Sequence, residues 1–244
     1  MEYGIQNIIG IRYGYLGLSK KSRHEPIDLK LKHIDQIHKQ GGTVLGSSRG
    51  NQDPSDMVDQ LKLKDINLLF CIGGDGTLKG AKAIAGEVKK RGLQISVVGI
   101  PKTIDNDLSF IEKTFGFETS VQVASDIITS AHTEAICAEN GIGIVKLMGR
   151  DSGFISANAT LANSVVDFCL VPETEFHLQG DGGLLKALEK RLKQHRYSVI
   201  VVAEGAGQHL FNQSTQQRDR SGNVIKEDIG LFLKQEIEEY FSKT

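Results

Sequence analysis

Two short runs bring together residue types suited to chemistry. Residues 73–77 read Gly-Gly-Asp-Gly-Thr, and residues 101–107 read Pro-Lys-Thr-Ile-Asp-Asn-Asp. Gly73, Gly74 and Gly76 let a backbone approach a phosphate chain closely, and a helix starting near Thr77 aims its N-terminal N–H groups at the same place. Asp75 is an oxygen ligand for Mg²⁺ beside those phosphates. In an extended second run Asp105 and Asp107 share a side, with Lys102 and Thr103 next to them. One carboxylate can accept a hydroxyl proton while the other helps with the metal. Phosphoryl transfer asks for such parts, because it depends on positioning and charge neutralisation more than on covalent chemistry. Plainer readings stand beside these: a glycine turn with a solvated acid, an Asx-type turn, and a structural ion pair for Lys102.

Each run follows an apolar, strand-like segment, residues 67–72 and 95–100. A parallel sheet delivers such loops to a crevice outside the carboxyl ends of its strands. Further strands are expected at 7–11, 43–46, 143–147, 165–171 and 198–203. Helices are expected at 27–40, with Leu31, Ile34 and Ile37 on one face, and at 54–64, 77–91 and 119–133. In the last of these Val123, Ile127 and Ala131 form the apolar stripe. Others are expected at 152–163, 182–195 and 227–242. This alternation predicts an α/β fold: two Rossmann-like open sheets, mostly parallel, one per half, with helices on both faces. Residues 208–223 are polar and read as a mobile loop. Arg150 follows one expected strand and precedes a helix, so a guanidinium and helix N–H groups converge on an anion. A surface salt bridge is the alternative. Glu204 has the same placement after the strand at 198–203.

The totals fit this picture. The chain has 244 residues, 39% hydrophobic and 24% charged, enough to build a sizeable core. A net charge of −1 argues against a surface dominated by nucleic acid or anionic membrane. Cys71, Cys137 and Cys169 show no metal-ligand spacing, and Cys71 and Cys169 lie in apolar runs as buried thiols, which suits a reducing cytosol. No apolar run approaches a membrane span, and the N-terminus has no signal-peptide pattern. His33, His38 and His195 read as helix-face residues. Lys89, Lys90 and Arg91 complement a helix dipole.

Taken together, the chain resembles the 6-phosphofructokinase family over essentially its whole length. The resemblance is carried by Gly14-Tyr15-Leu16-Gly17, Leu45-Gly46-Ser47-Ser48-Arg49, residues 73–77 and 101–107, and Phe115-Gly116-Phe117-Glu118-Thr119. It continues through Lys146-Leu147-Met148-Gly149-Arg150, Pro172-Glu173 and Ala203-Glu204-Gly205-Ala206-Gly207-Gln208. The later motifs are most similar to the plant and trypanosome ATP-dependent branch. Gly-Gly-Asp-Gly-Thr alone also occurs in NAD kinases and lipid kinases, whereas the 101–107 run is far more specific. The resemblance implies that MgATP phosphorylates the 1-hydroxyl of fructose 6-phosphate, in glycolysis. Asp105 would be the general base, with Lys102, Thr103 and Asp107 in the same reaction site. Tyr15, Arg49, Gly73, Gly74, Asp75, Gly76 and Thr77 would meet ATP, with Asp75 on Mg²⁺. Met148, Gly149, Arg150 and Glu204 would join Thr103 and Asp105 around fructose 6-phosphate. Gly76 leaves room for ATP where pyrophosphate users tend to carry Asp. Lys102 is the residue of pyrophosphate users, and the plant and trypanosome branch combines the two as here.

The resemblance further implies a nucleotide domain over 1–117 and a sugar-phosphate domain over 118–244, a dimer or tetramer that is often allosteric, and a cytosolic or plastid location. Relative to the family pattern the chain begins after the opening strand and its Pro-Gly-x-Asn turn. It ends before the segment around Gly-His-x-Gln-Arg-Gly-Gly that clamps the sugar phosphate. Gly141 stands where bacterial enzymes place an Arg that reaches a neighbouring subunit. The first sheet is therefore expected to lack strands and to expose apolar surface. The isolated chain is expected to be weakly active or inactive, or to serve as a non-catalytic binding subunit.

Overall fold

The structure of the chain, a computed structural model, describes Gly4, Ile5 and residues 7–211, 217, 218 and 223–243. Much of the expected loop at 208–223 thus lies outside the described residues. Contacts divide the chain into two units, with the boundary between Ile100 and Pro101. Residues 101–117, placed with the first half by the sequence reading, group with the second unit.

The first unit opens with a two-residue strand β1 (Ile9–Gly10) that pairs antiparallel with β2 (Ile27–Asp28). Between them lies a single helical turn, α1 (Gly14–Gly17). The helix expected over 27–40 shrinks to α2 (Leu31–Ile34) and a 3-10 turn at Ile37–Lys39. Leu31 is 70% exposed and Ile34 is exposed too. An amphipathic face with nothing to pack against cannot hold a long helix, because helical stability comes mostly from that packing. The strand expected at 43–46 is instead a turn, with Gly46 N–H donating to the Thr43 carbonyl at 3.2 Å. α3 (Pro54–Leu63) follows the sequence signal closely: Asp53 accepts from the Ser55 N–H at 3.0 Å, and Pro54 sits in the first turn.

β3 (Leu68–Gly73), α4 (Asp75–Lys90) and β4 (Ser96–Thr103) complete the unit, and the chain passes to the second unit within β4. β3 alternates strictly. Leu69, Cys71 and Gly73 point into a core formed with Met57, Val58 and Leu61 of α3 and Ala81, Ile84 and Val88 of α4. The opposite face is bare: Phe70 is 54% and Ile72 62% exposed, and Leu68 and Val98 are exposed as well. This face of the first sheet is therefore apolar and exposed.

In the second unit the last two residues of β4 pair parallel with β5 (Phe115–Gly116). α5 (Phe117–Cys137), β6 (Gly141–Leu147), α6 (Phe154–Ala162), β7 (Phe168–Leu170), α7 (Leu184–His195), β8 (Tyr197–Ala203) and α8 (Ile229–Ser242) follow. The strands order as β6-β8-β7, all parallel. α5 and α6 cover one face, around Val145, Leu147, Val199 and Val201. α7 and α8 cover the other, around Ile200 and Val202. The stripe expected on α5 is one residue out of phase: Val123 and Ile127 are exposed, while Ala124 and Ile128 are buried and Ala131 packs against them. Both sides of this helix carry apolar residues, so its periodicity alone does not choose the buried one. Cys71 is buried, Cys169 partly so and Cys137 exposed.

The core assignments predict a contrast. Leu61→Ala should cost about 2–5 kcal/mol in urea unfolding, whereas Phe70→Thr on the bare face should stay within about 0.5 kcal/mol and reduce self-association. A pH effect follows from Arg91, which caps α4 and pairs with Glu87 and Asp59 at 2.6 Å each. Arg91 holds both carboxyls below their ordinary values, chiefly through direct hydrogen bonds. Their stabilisation is present above the unfolded carboxyl pKa values, about 4, and is lost as pH falls through the lower folded values. Melting temperature should therefore fall with acidification below about pH 4, and Arg91→Met should flatten that slope.

Candidate functional site

In the first unit the Gly-rich run turns β3 into α4. The helix begins at Asp75, two residues before the expected Thr77, with Gly74 as its N-cap. Asp75 therefore sits in the first turn, where a carboxylate is favoured by the helix dipole. The Leu78 N–H donates to the Gly74 carbonyl at 3.0 Å. The N–H groups of Asp75, Gly76 and Thr77 precede it and have no intrahelical acceptor, the usual anion-binding arrangement. The glycines differ in duty. A Cβ on Gly73 would overlap the Thr77 side chain, but a Cβ on Gly76 would meet nothing within 4 Å. Gly73 is required by packing; Gly76 is not required by the fold at all.

Asp75 is exposed and pairs with Lys79 one turn on, Oδ2 to Nζ at 2.6 Å. No group of three or more His, Cys, Asp or Glu suited to a metal occurs among the described residues. The one exposed carboxylate of Asp75 suits Mg²⁺ carried by a nucleotide, which keeps its waters and takes one or two carboxylates plus phosphate oxygens. Tyr15 is half-buried, and its hydroxyl donates to the Thr77 carbonyl at 2.6 Å. Arg49 lies exposed on the segment after the turn at 43–46.

In the second unit the 101–107 run leaves the end of β4. Thr103 Oγ1 donates to Asp105 Oδ2 at 3.2 Å and accepts from the Asp105 N–H at 3.3 Å. Asn106 takes the left-handed conformation, φ 54°, and its side chain braces the loop. Its Nδ2 donates to the Glu112 carbonyl at 3.2 Å, and its Oδ1 accepts from the Thr114 N–H at 2.8 Å. Buried Thr114 also donates to the Thr103 carbonyl at 2.7 Å. Asp105 is thus half-buried on a braced turn, while Lys102 and Asp107 are exposed beside it.

A second loop, 148–153, leaves β6. Gly149 has φ 140°, and its carbonyl accepts from the Gly205 N–H at 3.0 Å. A Cβ on Gly205 would overlap the Arg150 carbonyl. Met148, Gly149 and Arg150 therefore lie beside Glu204, at the carboxyl ends of neighbouring strands. Ser152 Oγ donates to the Asp105 carbonyl at 3.3 Å, joining this loop to the 101–107 run. The second unit thus gathers Lys102, Thr103, Asp105, Asp107, Met148, Gly149, Arg150 and Glu204.

The anion expected at the helix after Arg150 is supplied in part by the chain itself. The Gly153 N–H, at the N-cap of α6, donates to Glu173 Oε1 at 2.8 Å. Asn106, Thr114, Ser152 and Glu173 brace the site through hydrogen bonds. Asn106 lies within the 101–107 run and Glu173 in the Pro172-Glu173 pair, whereas Thr114 and Ser152 carry no sequence signal beyond hydrogen-bonding capacity.

These strand–loop–helix units define an α/β protein with Rossmann-like nucleotide-fold architecture. The chain belongs to the phosphofructokinase family, whose model matches residues 1–243. It is 50% identical to an ATP-dependent 6-phosphofructokinase of Borreliella burgdorferi over 98% of this chain and 55% of that protein. It is 49% identical to ATP-dependent 6-phosphofructokinase 1 of Arabidopsis thaliana, over 99% of this chain and 51% of the relative. The Trypanosoma brucei brucei enzyme of the same name is 48% identical, over 98% and 48%. The chain spans about half the length of these curated relatives. Among solved structures, a pyrophosphate-dependent phosphofructokinase from Marinobacter aquaeolei matches with TM-score 0.75 and 23% identity, over 98% of this chain and 58% of that one. The Pichia pastoris phosphofructokinase in the T-state matches with TM-score 0.76 and 22% identity, over 98% and 25%. At those identities the likeness establishes the fold.

The two glycines give a direct test. Gly73→Ala should destabilise by about 1–3 kcal/mol through overpacking, whereas Gly76→Ala, inside a helix and in open space, should be neutral or stabilising by up to about 1 kcal/mol. Urea unfolding of the two variants measures both.

Proposed function

We propose that this chain carries the phosphoryl-transfer machinery of an ATP-dependent 6-phosphofructokinase, with the nucleotide on the first unit and fructose 6-phosphate on the second. The observation that carries this reading is half-buried Asp105, its carboxylate oriented by Thr103 and its backbone carbonyl tied through Ser152 to the loop of Arg150. Relatives near 50% identity that are named for ATP support it. Asp105 takes the proton of the sugar 1-hydroxyl as that oxygen bonds to the γ-phosphorus and the bond to the ADP oxygen breaks. The Thr103 hydroxyl holds the carboxylate in place. Lys102 offsets charge on the transferring group, and Asp107 lies in the same reaction site. Met148, Gly149, Arg150 and Glu204 hold the sugar phosphate, with Arg150 as its cation. Arg49 and the N–H groups of the 73–77 turn hold the nucleotide phosphates. Asp75 would hold Mg²⁺, which supplies charge neutralisation when bound.

Gly76 supports ATP as the donor, because the space it leaves is empty of protein atoms. An aspartate there would fit the fold while crowding and repelling a nucleotide α-phosphate. We also assign the protein to the cytoplasm and to a homo-oligomer, to which exposed Val123 and Ile127 of α5 offer an apolar surface. No helix among the described residues is long and apolar enough to cross a membrane.

The bare face of the first sheet favours a second reading, a non-catalytic nucleotide- or sugar-phosphate-binding subunit that assembles with intact chains. A coupled assay with fructose 6-phosphate and either MgATP or Mg-pyrophosphate decides between them. The expected result is turnover with ATP well below that of a full-length relative, lowered further in Asp105→Ala by about 100-fold, as for a general base. Gly76→Asp should depress the ATP rate. Turnover only with pyrophosphate would refute the ATP reading, and an inactive chain that changes the rate of a full-length relative on mixing would favour the binding subunit.

A further inference from the structure

One side chain outside the Gly-rich turn holds the first turn of α4 from behind. The Tyr15 hydroxyl bonds to the Thr77 carbonyl at 2.6 Å. The Tyr15 ring lies on Gly80, where an added Cβ would overlap Cε2 and approach the ring's Cζ to 2.9 Å. Gly80 has no left-handed φ that would call for glycine. Glycine inside a helix is disfavoured relative to alanine, so the reason for it here is the ring. Gly86, on the same helix, shows the contrast: a Cβ there meets nothing within 4 Å. Burial, with Cys71 as a hydrogen-bond neighbour, pushes the Tyr15 hydroxyl far above its ordinary range, so it stays a donor. First turns of helices fray unless something fixes them, and α4 has no N-cap side chain to do so.

We propose that Tyr15 and Gly80 are positioning residues for the nucleotide-phosphate turn, fixing the Asp75, Gly76 and Thr77 N–H groups and the Asp75 carboxylate through the first turn of α4. This rests on the nucleotide reading above. It gives Tyr15, expected from the family resemblance simply to lie near the nucleotide, a role exerted through the helix.

The test uses the full chain with Tyr15→Phe, Gly80→Ala, Tyr15→Ala and the Tyr15→Ala/Gly80→Ala double variant. Loss of one hydrogen bond should speed amide exchange at residues 78–81 by about two- to tenfold, with the buried middle of α4 and all of α3 unchanged. MgATP affinity, measured by equilibrium titration, should weaken by a similar factor, and fructose 6-phosphate affinity should not change. Gly80→Ala should lower the melting temperature when Tyr15 is present and raise it in the Tyr15→Ala background. Unchanged exchange in Tyr15→Phe, or the same sign for Gly80→Ala in both backgrounds, would overturn the proposal. So would faster exchange with intact MgATP affinity, or a loss spread evenly over both helices and both ligands. A wild-type chain that binds no MgATP would refute the nucleotide reading itself, and exchange and the variant cycle would still decide whether Tyr15 holds the turn.

Discussion

Where β6 and β8 run side by side, Leu147 stands opposite Ala203, and the hydrogen bonding does not stop where the strands do. The Glu204 N–H donates to the Leu147 carbonyl and the Gly205 N–H to the Gly149 carbonyl, at 2.9 and 3.0 Å. Two departing loops are thereby kept in contact, which is possible only because Gly205 has no side chain to strike Arg150. The register behind them is fixed by burial: Val199, Ile200, Val201, Val202 and Ala203 are all inaccessible. A one-residue slip would exchange the sides that face α5 and α6 with those that face α7 and α8. The cores on those two sides therefore place Met148, Gly149, Arg150 and Glu204, and Ser152 carries that placement to Asp105.

The first unit solves its positioning problem differently. Its sheet is packed on one side only, where α3, α4 and Leu18 cover Leu69 and Cys71 of β3. The Gly-rich turn gains its geometry from contacts at the start of α4, where Thr77 packs on Gly73 and Tyr15 on Gly80. One unit aims its loops by strand register against two cores, and the other by a helix end held against a single core.

The alternation of strands and helices was legible where local signals and burial agreed. Asp53 and Pro54 announce α3, and the apolar runs of β3 and β8 end in glycine-bearing loops. It was illegible over 27–46, where a helical pattern exists but Leu31 and Ile34 stay exposed, and where β2 pairs with a strand seventeen or more positions away. The phase of α5 was equally hidden, since only the neighbouring sheet chooses between two apolar sides. For the site, the two chemistry-bearing runs could be read directly because their residues are adjacent in sequence. Their supports could not. Thr114 reaches back to Thr103, Ser152 to Asp105, Glu173 to Gly153 and Tyr15 across 62 residues to Thr77. Such pairs come into being only when the chain has folded.

Gly76 has an evolutionary consequence. Most residues at a site serve two masters, because the same side chain supports the fold and meets the ligand, so a change is filtered twice. At Gly76 the fold is indifferent, since the space around it is open. On the proposed reading, only the ligand remains as a filter. Every glycine codon lies one base from a codon for an acidic residue, aspartate for half of them and glutamate for the rest. If Gly76 faces the phosphoryl donor as proposed, a lineage can explore that choice here without first crossing a valley of unstable intermediates.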